Sequence, residues 1–98
     1  MNLIWTHEAL ERLQGIKKYI SKDNPDRASQ FIQRIIDRAK TIPLNPHLGR
    51  IVPELSNPEI RELIFKNYRI VYRKSKKSIE ILTVFEAHMQ LRLQEKND

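Results

Sequence analysis

The side chains with most chemistry to offer gather in one stretch, IRELIFKNYRIVYRKSKK, residues 60 to 77. It holds Arg61, Lys66, Arg69, Arg73, Lys74, Lys76 and Lys77 against a single acid, Glu62, a net +6 that equals the charge of the whole 98-residue chain. Arginine on a rigid strand can grip a phosphate or carboxylate through two parallel hydrogen bonds, which a loop lysine does less well. Arg61, Arg69 and Arg73 are therefore the candidate contacts for an acidic partner. A pI near 9.8 points the same way, toward nucleic acid, an acidic protein segment or phosphate. The run KSKKS at 74 to 78 reads instead as a solvated hairpin loop.

Other chemistries find little support. His7, His47 and His88 are far apart, and none sits at helical spacing from a second ligand, so no metal site is expected. The only glycines are Gly15 and Gly49, too few for a phosphate-cradling loop, and no cofactor motif is present. There is no cysteine, hence no disulfide framework and no thiolate nucleophile. No run is long and apolar enough for a signal peptide or a membrane span, so the chain reads as cytoplasmic. Its length and 40% hydrophobic content fit one globular domain over residues 1–98.

The elements that must position the arginines can be read from periodicity. NLIWT, residues 2 to 6, is a β-favouring run ending on Thr6, a candidate N-cap with Glu8 in the first turn behind it. Leu10, Leu13, Ile16 and Ile20 then recur at helical spacing, and Gly15 among them suggests close helix packing. Asn24, Pro25 and Asp26 supply a cap, a first-turn proline and a charge suited to the positive end of a second helix. Its stripe runs through Ala28, Phe31, Ile32, Ile35, Ile36, Ala39 and Ile42, and Pro43 ends it. Pro43 to Pro58 is a loop with four of the five prolines.

Three strands follow. If the first hairpin turns at Lys66-Asn67, Phe65 faces Tyr68, Leu63 faces Ile70, Arg61 faces Tyr72, Ile64 faces Arg69 and Glu62 faces Val71. One face then carries Arg61, Leu63, Phe65, Tyr68, Ile70 and Tyr72 toward the helices. The other carries Ile60, Glu62, Ile64, Arg69, Val71 and Arg73. In the last strand, strict alternation sets Ile79, Ile81, Thr83 and Phe85 against Leu82 and Val84. The second face is thus richer in aliphatics than a wetted sheet face needs. Ile60, Ile64, Val71, Leu82 and Val84 are candidates for a partner surface, or for coverage by the tail AHMQLRLQEKND, a possible short helix. Glu62 lies diagonal to Arg69 and Arg73, and for Arg73 an internal ion pair is the preferred reading. The fold class is α+β: an N-terminal strand and an antiparallel helical hairpin packed on a mostly antiparallel sheet, in the order β-α-α-β-β-β.

This order, with DNPDRASQFI opening the second helix, GRIVPEL in the loop, IRELIFKNYRIVYR across the hairpin and ILTVFEAH on the last strand, resembles the RelE/ParE toxins of type II toxin–antitoxin modules. The resemblance covers nearly the whole chain, and GRIVPEL and NYRIVY are its most specific parts. RelE-like members are ribosome-dependent endoribonucleases that cut messenger RNA. ParE-like members inhibit DNA gyrase.

The RelE resemblance implies two strand lysines before the hairpin turn, an arginine after the tyrosine of the next strand, and an arginine and a tyrosine near the C-terminus. Here the arginine is Arg69, the lysine positions hold Ile60 and Glu62, and no tyrosine follows Tyr72. Cleavage through a 2′-hydroxyl needs a base, an acid and cations for the developing phosphorane charge. Glu62 puts negative charge where a cation is wanted, leaving Arg69, His88 and Arg92 as the nuclease set. The VPEL loop and VFEAH ending look more like ParE. That branch implies a non-enzymatic gyrase inhibitor of a plasmid-stabilisation module, covered by a ParD-like antitoxin that supplies operator DNA binding. A ribosome-dependent nuclease is the alternative, and an antitoxin-binding remnant without toxicity is a third. On this reading, replacing Arg69 by Ala lowers toxicity more than stability.

Overall fold

Thr6 and Asn24 open the two helices in the computed structural model, which describes residues 1–89 and Leu91. The Thr6 hydroxyl accepts from the Ala9 N–H at 3.2 Å, and Asn24 Oδ1 accepts from the Arg27 N–H at 3.0 Å. Strand β1 (Asn2–Trp5) leads into α1 (His7–Ser21), and α2 (Pro25–Ala39) returns antiparallel to it. Helix α2 stops three residues before the stripe does. Ile42 keeps its place in the core from a following 3₁₀ turn, Ile42–Leu44, that contains Pro43. Gly15 does not mark close packing, because a Cβ there would meet no atom within 4 Å. Among the described residues, no packing contact therefore offsets its cost to the helix, about 1 kcal/mol relative to Ala.

The sheet has five strands in the order β1-β5-β4-β3-β2. Strands β3 (Ile60–Phe65), β4 (Tyr68–Lys74) and β5 (Ser78–Glu86) form an antiparallel meander, and β1 joins it parallel to β5. The fifth strand, β2 (Arg50–Ile51), comes from the proline-rich loop and pairs antiparallel with β3. Two residues are too short to show periodicity, and the sequence gives no sign of them.

The β3–β4 register is the expected one throughout, from Phe65 opposite Tyr68 to Arg61 opposite Tyr72. A two-residue turn pins it, with Lys66 at a φ of 56°. In β5 the alternation breaks. Val71 faces Thr83 and Tyr72 faces Ile81, so Leu82 is an extra residue. The Thr6 hydroxyl donates to the carbonyls of both Ile81 and Leu82, at 2.8 and 3.1 Å, and fastens the bulge to the start of α1. Beyond the bulge every side chain changes face relative to strict alternation. Val84 joins Ile79 and Ile81 under the helices, while Thr83 and Phe85 move to the opposite side.

The main core lies between helices and sheet, around Leu13, Ile35, Leu63, Ile70, Tyr72 and Ile81. A second, smaller core covers the opposite face, where Val52 from the loop and Leu91 pack on Ile60, Val71 and Phe85. The chain itself therefore covers much of that face. Residues 87–89 make a turn; the rest of the expected tail helix, other than Leu91, lies outside the described residues.

Leu63 is buried at the centre of the main core, so Leu63→Ala is expected to cost about 2–5 kcal/mol by cavity formation. Urea unfolding measures it, and a loss well under about 1 kcal/mol is incompatible with this packing.

Candidate functional site

Glu62 occupies the middle of β3 on the face away from the helices, opposite Val71 on one side and Arg50 on the other. Its side chain is removed from solvent, with the residue only 1% exposed. A buried carboxylate is tolerable only when it is paired and hydrogen-bonded. Arg50 Nε donates to Oε2 at 2.7 Å, and Arg69 Nε donates to Oε1 at 2.6 Å.

Arg69, 5% exposed, is almost saturated by its surroundings. Its two terminal nitrogens grip Glu54 in a fork, Nη2 to Oε1 at 2.7 Å and Nη1 to Oε2 at 3.0 Å. Nη1 also donates to the Met89 carbonyl at 3.0 Å, and the guanidinium carbon stands 4.8 Å from the centre of the Phe85 ring. Glu54 in turn accepts the Leu91 N–H at 3.1 Å. Arg50, Glu62, Arg69 and Glu54 form one neutral cluster that ties three strands, the proline loop and the chain beyond β5 together.

The protonation behaviour follows from these contacts. The Arg69 hydrogen bonds, opposed by burial and assisted by the Leu91 N–H, hold the Glu54 carboxyl down at about 2, against an ordinary 4.5. Arg69 is pushed up, chiefly by its bonds to Glu54 and against burial. Burial pushes the Tyr72 phenol up as well. Its hydroxyl accepts the Gly49 N–H at 2.9 Å and donates to the Pro46 carbonyl at 2.8 Å, which fixes the loop before β2.

Gly49 explains the opening of GRIVPEL. A Cβ there would come within 2.5 Å of the Glu62 carbonyl oxygen and 2.9 Å of the Tyr72 hydroxyl, so only glycine lets the loop close on β3. The next residue, Arg50, then reaches Glu62, Val52 fills the second core, and Glu54 meets Arg69.

Of the candidate partner residues, Ile60, Val71 and Arg69 keep the face expected of them, with Ile60 and Val71 covered by the chain itself, the alternative left open for that face, and Val84 changes face. Ile60, Val71 and Arg69 lie buried on the second face, and Val84, 1% exposed, lies under the helices. Ile64 remains open at 46%, and Leu82 is half-buried beside the second core. Arg61 is half-buried with Nη1 donating to the Gly49 carbonyl at 3.0 Å. Arg73 does make an internal ion pair, but with Glu80 across β5 at 3.2 Å rather than with Glu62. Of the nuclease set, Arg69 is enclosed, His88 sits exposed in the turn after β5 at 3.5 Å from Glu86, and Arg92 lies outside the described residues. Sequence reasoning missed Arg50, Glu54 and Phe85. Pairing Glu62 with Arg50 depends on the two-residue β2, and putting Phe85 under Arg69 depends on the bulge.

Residues 3–91 match the family model described as the ParE toxin of the type II toxin–antitoxin system parDE, a span that contains the whole cluster. The chain belongs to the ParE toxin family. It is thus a ParE-type toxin of a type II toxin–antitoxin system. It is 41% identical over 91 residues to a protein of Sinorhizobium fredii named "Putative toxin Y4kP", a match covering 88% of each. A solved chain from the "Chromosomal ParDE TA system from P. aeruginosa" has a similar fold, with a TM-score of 0.76 and 25% identity, covering 90% of this chain and 97% of that one.

In this ParE toxin the enclosure of Arg69 reverses the expected order of effects. Arg69→Ala leaves Glu62 buried with half its neutralising charge gone, and is expected to cost about 3–5 kcal/mol, whereas Arg73→Ala at its exposed pair costs about 1 kcal/mol or less. Urea unfolding of the two variants decides, and equal, small losses would contradict the cluster's role.

Glu54 gives the cluster a pH signature. Its folded pKa lies below the ordinary value, so its contribution to stability is complete above pH 4.5 and is lost as the pH falls toward 2. Glu54→Gln is expected to flatten that part of the stability curve between pH 5 and 2.5, measured by thermal unfolding. An unchanged acid limb would show that Glu54 is not the group responsible.

Proposed function

We propose that this ParE toxin arrests growth by inhibiting DNA gyrase and is neutralised by a ParD-like antitoxin that binds it directly. Operator DNA is bound through the antitoxin, and the pair stabilises the replicon that encodes it. The setting is the cytoplasm. The observation that carries this reading is the enclosure of Arg69. The arginine that the RelE resemblance would assign to phosphate has its hydrogen-bond donors turned inward on Glu62, Glu54 and the Met89 carbonyl. A cation held this way is not presented to a scissile phosphate, and Glu62 beside it adds negative charge. A protein-binding inhibitor needs no such constellation.

The test runs purified protein in two reactions side by side, gyrase supercoiling of relaxed plasmid and cleavage of messenger RNA on programmed ribosomes. Lost supercoiling or trapped cleavage complexes with intact RNA is the expected result, relieved by the antitoxin encoded beside the chain. Cut RNA with normal supercoiling overturns the reading in favour of a nuclease. If induced expression leaves colony counts unchanged and both reactions run normally, the chain is a remnant without toxicity.

A further inference from the structure

Helix α2 sorts its surface charges by face. At about 100° per residue, Arg27, Arg34 and Arg38 fall within about 40° of one another, on the flank beside the β3–β4 turn. The acids of α2, Asp26 and Asp37, fall on a separate row about 90° away. Asp37 is engaged there by Gln33, whose Nε2 donates to Oδ1 at 2.9 Å. Across from Arg27 and Arg34 the β3–β4 turn presents Lys66 and Asn67. The cavity between them, about 410 Å³, is completed by Gln30 and Phe31 and has no carboxylate in its wall. Neither the three arginines nor Lys66 makes an ion pair among the described residues.

The length of the row excludes a single phosphate as its ligand. Arg27 and Arg38 are about 16 Å apart along the helix axis. Over that length one strand of nucleic acid carries about five charges. An aromatic ring stands at the end of the row. Tyr19, 69% exposed, lines a second cavity of about 300 Å³ that shares Arg27, Phe31 and Asn67 with the first and has Asp23 as its one acid. A line of unpaired cations beside an exposed ring is the combination that holds single strands: the backbone follows the cations, and an unstacked base lies on the ring.

We propose that this flank of α2 binds the backbone of single-stranded DNA, with phosphates on Arg27, Arg34, Arg38 and Lys66 and a base stacked on Tyr19. Gln30 and Asn67 donate to phosphate or sugar oxygens between the cations. Contacts of this kind carry no sequence information, which sets the site apart from operator recognition. The choice of DNA over RNA rests on the gyrase reading above, and the site gives the toxin its own hold on the DNA that its target acts on.

The test follows the anisotropy of a short fluorescein-labelled oligodeoxythymidine titrated with the whole chain at several salt concentrations. Arg27→Ala with Arg34→Ala is expected to raise Kd by about tenfold at low salt and to flatten the dependence of log Kd on log salt by about 1.4, two phosphate contacts at about 0.7 each. Tyr19→Ala is expected to raise Kd by about tenfold with that slope unchanged, as lost stacking does. Lys76→Ala with Lys77→Ala removes the same charge from the distant β4–β5 loop and is expected to change Kd by less than about threefold. All these side chains are exposed, and circular dichroism checks that each variant folds. No binding by the parent at low salt overturns the proposal. Equal losses in the arginine and lysine pairs overturn it too, since net charge then accounts for the binding. A duplex bound at least as tightly, with Tyr19→Ala silent, overturns the single-strand assignment. Oligouridine RNA bound about tenfold tighter puts RNA in the site, and displacement by polyglutamate at lower charge concentration than by DNA puts an acidic protein segment there; either result overturns the proposal. Binding is read on the toxin alone, so its loss leaves the gyrase reading standing, and unimpaired supercoiling overturns that reading without altering a measured affinity.

Discussion

A carboxylate buried in the middle of a sheet dictates much of what surrounds it. Glu62 can be buried there because two guanidiniums, Arg50 and Arg69, reach it from neighbouring strands and hydrogen-bond both of its oxygens. Each arginine brings its own demand. Arg50 must sit on a strand paired to β3, which requires the loop to close there and so requires Gly49. Arg69 needs acceptors for its outer nitrogens, which requires Glu54 and the Met89 carbonyl. The proline loop and the chain after β5 are fixed by the need to neutralise one carboxylate, and the second core of Val52, Phe85 and Leu91 forms underneath.

Much of the frame was legible because local signals agreed with the global fold. The caps at Thr6 and Asn24, the α2 stripe and the turn at Lys66-Asn67 each fixed an element within a few residues, and the turn alone set the β3–β4 register. What stayed hidden depended on contacts distant in sequence. Strand β2 is two residues long and has no period to detect. The Leu82 bulge is held by Thr6, some seventy-five residues away, so the reversal that sends Phe85 under Arg69 and Val84 under the helices could not be read along β5. Counting alternation across a bulge assigns the right residues to the wrong faces.

The same reasoning explains why the motifs pointed to the family more firmly than to a site. GRIVPEL, NYRIVY and VFEAH converge in space, but they converge on a closed ion cluster and a second core. Gly49, Arg50, Val52, Glu54, Arg69, Tyr72 and Phe85 each have a partner within the chain that accounts for them. Such residues identify a scaffold because replacing one strands the others. They reveal little about what the scaffold touches.

Charge concentrated in sequence is likewise not a patch in space. The seven cations of residues 60 to 77 disperse on folding. Arg69 is spent on Glu62 and Glu54, Arg61 turns to the Gly49 carbonyl, and Arg73 pairs with Glu80. Lys74, Lys76 and Lys77 stand at the β4–β5 loop, at the other end of the meander from Lys66. Lys66 instead meets Arg27 and Arg34, which come from α2 and belong to no basic run in the sequence. The stretch with the highest charge density therefore contributes one cation, Lys66, to the cavity that Arg27 and Arg34 also line, and those two come from a helix face that looks ordinarily solvated. A strong local excess of one sign measures what a segment could contribute; the field a partner meets is set by which of those charges the fold leaves unpaired, and here the two differ because the central strand carries its own acid.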